Sequence, residues 1–218
     1  MRLMLNRTVS FWIVLGLGLL ILLGILLFQD KASGFLAIQL PHSPNLNLVF
    51  GILTFPGDGL FAVGIVLLLL IFNTYRNALT LLVAYLSGGI LVQLCKLLIF
   101  HPTPRPVKWF ELNHYPFELP AGLSPHDWHS FPSGHSASAA TLFLFIATLT
   151  NSKPVHALCG IMALVTGYSR IYLYMHFPED VFVGLIVGAL SVVFTRMWMD
   201  NRFRAKHPAW ANKNFLKR

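Results

Sequence analysis

Charge is what this 218-residue chain most lacks. Asp, Glu, Lys and Arg together make 24 residues, or 11%, while 56% are hydrophobic and the mean hydropathy is +0.66. A soluble domain carries about a quarter charged residues, so this composition excludes a solvated globule, a disordered chain and a nucleic-acid-binding arm. Cysteine is scarce too: Cys95 and Cys159 both sit in apolar runs, as small core residues do, which excludes a disulfide scaffold. Acids number only 8 against 16 Lys plus Arg, a formal net charge of +8. Seven of those bases lie in the tail, at Arg196, Arg202, Arg204, Lys206, Lys213, Lys217 and Arg218. A basic tail beside an apolar chain reads as a cytoplasmic segment touching anionic headgroups.

What is present is long apolar runs. Residues 11–28 contain no charge and follow Arg2 and Arg7; Gln29, Asp30 and Lys31 come next instead of a small-residue cleavage site, so the segment reads as a retained signal anchor. Further runs cover 58–72, 78–100, 136–150, 154–174 and 180–199, with Asp58-Gly59 placed to cap the second and Pro178 near the first turn of the last. The expectation is six transmembrane helices in an all-α bundle over residues 1–200, with 101–132 as an outer loop over one end and 201–218 as the tail. Six spans put both termini on one side. That side carries eleven basic residues against five (Lys31, Lys96, Arg105, Lys108 and Arg170) on the other, and the positive-inside rule makes it cytoplasmic. The loop 101–132 is rich in Pro, His and aromatics, among them Trp109, Tyr115 and Trp128, which suit the headgroup level.

Three polar clusters interrupt the apolar chain: Lys96 with Arg105-Pro106; Pro132-Ser133-Gly134-His135; and Ser169-Arg170 with His176 and Asp180. The predicted topology carries all three to the outer face. Three cations with few acids nearby call for a polyanion, and guanidinium and ammonium donors suit phosphate oxygens. Ser133-Gly134 at a helix start adds a hydroxyl and bare backbone N–H groups. Phosphoryl transfer needs little beyond such a cradle, a nucleophile and a proton for the leaving oxygen. Asp180, four residues after His176, can hold one ring nitrogen and raise the basicity of the other, which makes His176 the candidate nucleophile and His135 the candidate proton donor. His42, His101, His114, His126 and His129 have no such partner in the sequence and read as ordinary structural histidines.

These motifs resemble the type 2 phosphatidic acid phosphatases, membrane members of a superfamily that includes bacterial acid phosphatases and vanadium haloperoxidases. Pro132-Ser133-Gly134-His135 stands intact, as does Ser169-Arg170 with His176 and Asp180 at the family spacing. The first motif departs from its pattern: eight residues, not six, separate Lys96 from Arg105-Pro106, and position 98, where the family places lysine, is leucine. The resemblance implies a six-helix bundle, a phosphohistidine on His176 without metal or other cofactor, His135 as general acid, and Lys96, Arg105, Ser133, Gly134 and Arg170 on the phosphoryl group. It implies a phosphorylated membrane lipid as partner, hydrolysed at the periplasmic face of a bacterial inner membrane, with undecaprenyl diphosphate, phosphatidylglycerophosphate, phosphatidic acid and lipid A phosphates as candidates. A phosphotransferase serving a second lipid and a non-catalytic phospholipid binder are the alternatives. No oligomeric state follows from the sequence.

Overall fold

The computed structural model describes residues 7–100, 102–206 and 209–216, with the side chains of 203–206 and 209 excepted. Arg2, His101, Lys217, Arg218 and the side chains of Arg204 and Lys206, all used in the sequence reading, lie outside the described residues. Every element named among the described residues is helical. Helix α1 is Val9–Phe28, α2 Lys31–Ala37, α3 Pro44–Leu53, α4 Gly59–Phe72 and α5 Tyr75–Leu94, which runs into a π-helical turn at Cys95–Ile99. Then come α6 Pro106–Leu112, α7 Gly134–Thr148, α8 Lys153–Tyr172 and α9 Pro178–Lys206, followed by a short 3-10 turn at Ala209–Asn212.

Local chemistry sets several of the starts. Asp30 accepts from the N–H groups of Ala32 (3.0 Å) and Ser33 (3.1 Å) to open α2, and Ser43 with Pro44 behind it opens α3. Asp58 caps α4 through Leu60 N at 2.7 Å, as its position before Gly59 predicts. Thr74 caps α5 and Ser133 caps α7.

All six apolar runs are helical, yet among the described residues only three helices are long and apolar enough to cross a bilayer by themselves: α1, α5 with its π turn, and α9. A fourth span is reached if α3 and α4 count together; their axes bend by 53° at the 3-10 turn Phe55–Gly57. The apolar run expected at 58–72 is only the second arm of this pair, because Pro56 and Gly57 end the apolar periodicity and the first arm carries Asn45 and Asn47. Helix α7, with 15 residues, is about 22 Å long at 1.5 Å per residue, short of a hydrocarbon core of about 30 Å. Helix α8 buries a polar set, His156, Thr166, Ser169 and Arg170, which lowers its hydropathy but faces the bundle interior.

The interior is built on close helix approaches. Helix α9 packs along α7, and α8 packs on both α7 and α1. A Cβ at Gly188 would lie 2.0 Å from Ala137 O, and one at Gly184 2.5 Å from Ser133 O, so bare glycine lets the α9 backbone touch α7. The outward surface is aliphatic: Leu17, Leu20, Ile21 and Leu27 of α1 and Leu86, Ile90 and Leu94 of α5 are all exposed, an arrangement favourable against lipid chains and costly against water. Both cysteines are free.

The segment 102–132 is packed down rather than loose. Pro104 bridges to Trp128, Arg105 N donates to Asp127 O (2.7 Å), and Phe110 of α6 is buried against Phe35, Phe117 and Phe177. At the opposite end, Arg76 pairs with Asp200 and Arg196 donates to Asn77. Helix α9 runs past residue 201, where the sequence reading began the tail, and the chain then returns so that Phe215 N meets Leu70 O (3.0 Å) and Tyr75 N meets Lys213 O (2.9 Å).

Candidate active site

The end of α5, the start of α7, the end of α8 and the start of α9 meet beneath the 102–132 segment, and they bring the three polar clusters together. Ser133 N donates to Asp180 O at 2.9 Å, tying the start of α7 to the start of α9. Helix α8 closes through Tyr174, whose φ is +57°. A non-glycine residue there costs about 1 to 2 kcal/mol, and burial of its ring against Phe35, His42 and Phe117 offsets that cost. This left-handed turn leaves Arg170 in the last turn of α8 and His176 just beyond it.

His176 is 2% exposed and donates from Nδ1 to Asp180 Oδ2 at 3.2 Å. The same carboxylate oxygen accepts from Phe177 N at 2.9 Å and from Ser130 Oγ in a very short contact. Three donors on one oxygen lock the carboxylate, and the carboxylate locks the ring with Nδ1 protonated and Nε2 bare. Burial, then the charges of Arg105, Arg170 and Lys96, hold the His176 pKa well below the usual imidazole range. The ring is therefore neutral at ordinary pH.

The three cations act on this ring from separate elements. Arg170 is 6% exposed; its Nη1 donates to Thr54 Oγ1 at 2.8 Å and its Nε is buried with no hydrogen-bond partner. Arg105 donates from Nε to Trp128 O (2.8 Å) and from Nη1 to Met175 O (3.3 Å), which fixes it beside the turn carrying His176. Burial lowers its pKa from the ordinary guanidinium value and Asp180 opposes that shift; guanidinium stays charged regardless.

Lys96 has Nζ on His129 O at 2.8 Å and is 9% exposed, whereas Leu98, at the position where the family places lysine, is 75% exposed on the outer surface of the bundle. Lys96 extends the buried stripe Ala84, Gly88 and Val92 at four-residue spacing, whereas Leu98, two positions on, falls about 200° round the helix and faces out. Lys108 is elsewhere, paired with Glu111 at 2.9 Å.

Ser133 is buried as the cap of α7: its Oγ accepts from Ser136 N (3.3 Å) and from Ser136 Oγ (2.8 Å). Gly134 and His135 form the first turn of α7, half-buried. Gly57 presses on His135 from the bend between α3 and α4: a Cβ there would lie 2.7 Å from His135 O and 2.9 Å from its Cβ. All eight predicted residues thus stand at one end of the bundle. Among the described residues no group of three His, Cys, Asp or Glu side chains is placed to hold a metal ion.

Sequence reasoning missed three contributors. Ser130 carried no motif signal, although it is buried against Asp180. Thr54 and Gly57 sit 116 and 78 residues from the partners they touch; the Thr-Phe-Pro-Gly run announced a turn but not its destination. His42, read from the sequence as a structural histidine, stacks on Tyr172 with centroids 4.3 Å apart and meets Asn47 Oδ1 at 3.2 Å.

A bundle of apolar helices with a buried His–Asp pair beside three cations defines a membrane protein with a cationic site at one end. The chain belongs to the PAP2 superfamily, whose family model matches residues 77–204. It is 28% identical over 197 residues to an undecaprenyl-diphosphatase of Sulfolobus acidocaldarius, covering 84% of this chain and 88% of that protein. It is 35% identical over 88 residues to phosphatidylglycerophosphatase B of Bacillus subtilis, a match spanning 35% of this chain and 43% of that protein. The crystal structure of Aquifex aeolicus LpxE superimposes with a TM-score of 0.65 at 28% identity, covering 78% of this chain and 96% of that one.

Proposed function

We propose that the protein is an integral membrane lipid phosphatase that releases phosphate from a lipid phosphate monoester or diphosphate through a phosphohistidine. The observation that carries this reading is His176: a neutral, buried imidazole, held by Asp180 through Nδ1 and surrounded by Lys96, Arg105 and Arg170. In the first step Nε2 of His176 attacks phosphorus in line and the P–O bond to the lipid breaks. His135 donates its proton to the departing oxygen. Arg170 Nε, Arg105, Lys96 and the α7 N-terminus with Ser133 and Gly134 take the charge that develops on the phosphoryl oxygens. In the second step His135 removes a proton from water, the resulting oxygen bonds to phosphorus, and the P–N bond breaks to release phosphate and neutral His176. Three cations supply what a divalent metal supplies in other phosphoryl transfers, so the reaction runs without one.

The site end lies outside the membrane on this reading, at the periplasmic face of a bacterial inner membrane, with six spans and both termini cytoplasmic. The basic residues of the opposite end support that orientation. The relatives act on a diphosphate and, by their names, on a glycerophosphate lipid, so the deciding assay is phosphate release by purified protein from undecaprenyl diphosphate, phosphatidylglycerophosphate and lipid A phosphates in excess chelator. Turnover of at least one is expected, with none from His176→Ala. Turnover by that variant, or activity that requires added metal, refutes the mechanism.

A further inference from the structure

Part of the site wall comes from outside residues 77–204, the stretch that the family model matches. Helices α3 and α4 meet at 54–58, where Pro56 and Gly57 form a 3-10 turn and the axes bend by 53°. That turn is wedged against two functional elements at once. On one side, Gly57 abuts His135 so closely that a Cβ would clash with the His135 carbonyl oxygen at 2.7 Å, its Cβ at 2.9 Å and its Cα at 3.0 Å. On the other, Thr54 Oγ1 accepts from Arg170 Nη1 at 2.8 Å. Since the turn is fixed against the first turn of α7, the acceptor it offers to Arg170 is fixed as well.

Arg170 has little else to hold it. Thr54 is the one hydrogen-bond partner of its side chain among the described residues, and its Nε is buried with none. A buried N–H without an acceptor is destabilising, and that cost is relieved when a phosphoryl oxygen arrives. Anchoring one edge of a planar guanidinium sets the direction of the remaining donors, and a donor that is aimed beforehand is worth more in the transition state than one that must reorient.

We propose that Thr54 is a positioning residue: through Nη1 it aims Arg170 at the phosphoryl group, and the 54–58 turn is a wall of the active site. The proposal rests on the phosphatase reading above. A threonine elsewhere in a bent apolar helix pair would need no such partner, because its hydroxyl can return to its own helix backbone.

The test compares Thr54→Val, which keeps the shape and removes the acceptor, with Thr54→Ser, which keeps the acceptor. Each is made in native and Arg170→Ala backgrounds and measured two ways: kcat for lipid phosphate hydrolysis, and the rise in Tm produced by vanadate, which reports anion grip without turnover. Thr54→Val is expected to lower kcat about 10-fold and to reduce the vanadate shift, while its Tm without vanadate stays near native. Thr54→Ser is expected to restore both within about 2-fold, and Thr54→Val is expected to add under about 2-fold once Arg170 is alanine, since partners that act as one unit are not additive. Native-like kcat and vanadate shift in Thr54→Val, failure of serine to restore them, or full additivity with Arg170→Ala overturns this inference and leaves the phosphatase reading standing. A native protein that neither hydrolyses lipid phosphate nor is stabilised by vanadate overturns both.

Discussion

Replacing Lys96 with alanine tests the point where the chain departs from its family pattern. Lys96 is 9% exposed, carries its ammonium to His129 O at 2.8 Å, and acts electrostatically on both His176 and Asp180. Removing one oriented donor to a developing oxyanion lowers kcat by about 10² to 10³, or roughly 3 to 4 kcal/mol. Lys108 is the control: it pairs with Glu111 three residues on, a carboxylate 67% exposed, and such surface pairs contribute about 0 to 1 kcal/mol. Lys96→Ala should therefore lower turnover at least about 100-fold, and Lys108→Ala less than about 5-fold. Leu98→Ala should be as mild as Lys108→Ala, since that side chain faces outward at 75% exposure. The assay is phosphate release from mixed micelles, with each variant matched for Tm and for elution as a folded species. A native rate for Lys96→Ala, or a greater loss in Lys108→Ala or Leu98→Ala, would mean that Lys96 is not the first-motif cation.

Three further outcomes follow from the geometry. Arg105 is the largest of the charges that depress the His176 pKa, so Arg105→Ala should raise that pKa; the acidic limb of kcat/KM then moves to higher pH, and an unmoved limb in a pH profile counts against a free imidazole nucleophile. Gly188→Ala would force a Cβ to 2.0 Å from Ala137 O, and the α7–α9 approach must open at a cost of about 1 to 3 kcal/mol or more; a Tm equal to that of the native protein counts against this packing. Asn113→Cys lies on the exposed side of the segment over the site, so an impermeant thiol reagent should label it in intact cells, and labelling only after lysis inverts the proposed orientation.

The sequence by itself determined the helical class and the identity of the chemical groups. Eighteen uncharged residues after two arginines, and five more apolar runs, have no stable arrangement in lipid except as helices, because only helices satisfy every backbone group within one segment. The spacing of His176 and Asp180 also sufficed for their pairing, since residues so close in sequence meet through the local turn and helix start. Lys96 was different. It lies on the stripe Ala84, Gly88 and Val92 that the bundle buries, but this helix is apolar on every side, so its sequence does not mark which stripe turns inward. Thr54, Gly57 and Ser130 were beyond reach for a related reason: their contacts with Arg170, His135 and Asp180 join residues 116, 78 and 50 positions apart. Such contacts exist only once glycines at 184 and 188 let α9 close on α7 and the bend at 54–58 turns inward. Local propensity can name a turn, but which distant side chain that turn meets is decided by packing of the whole bundle.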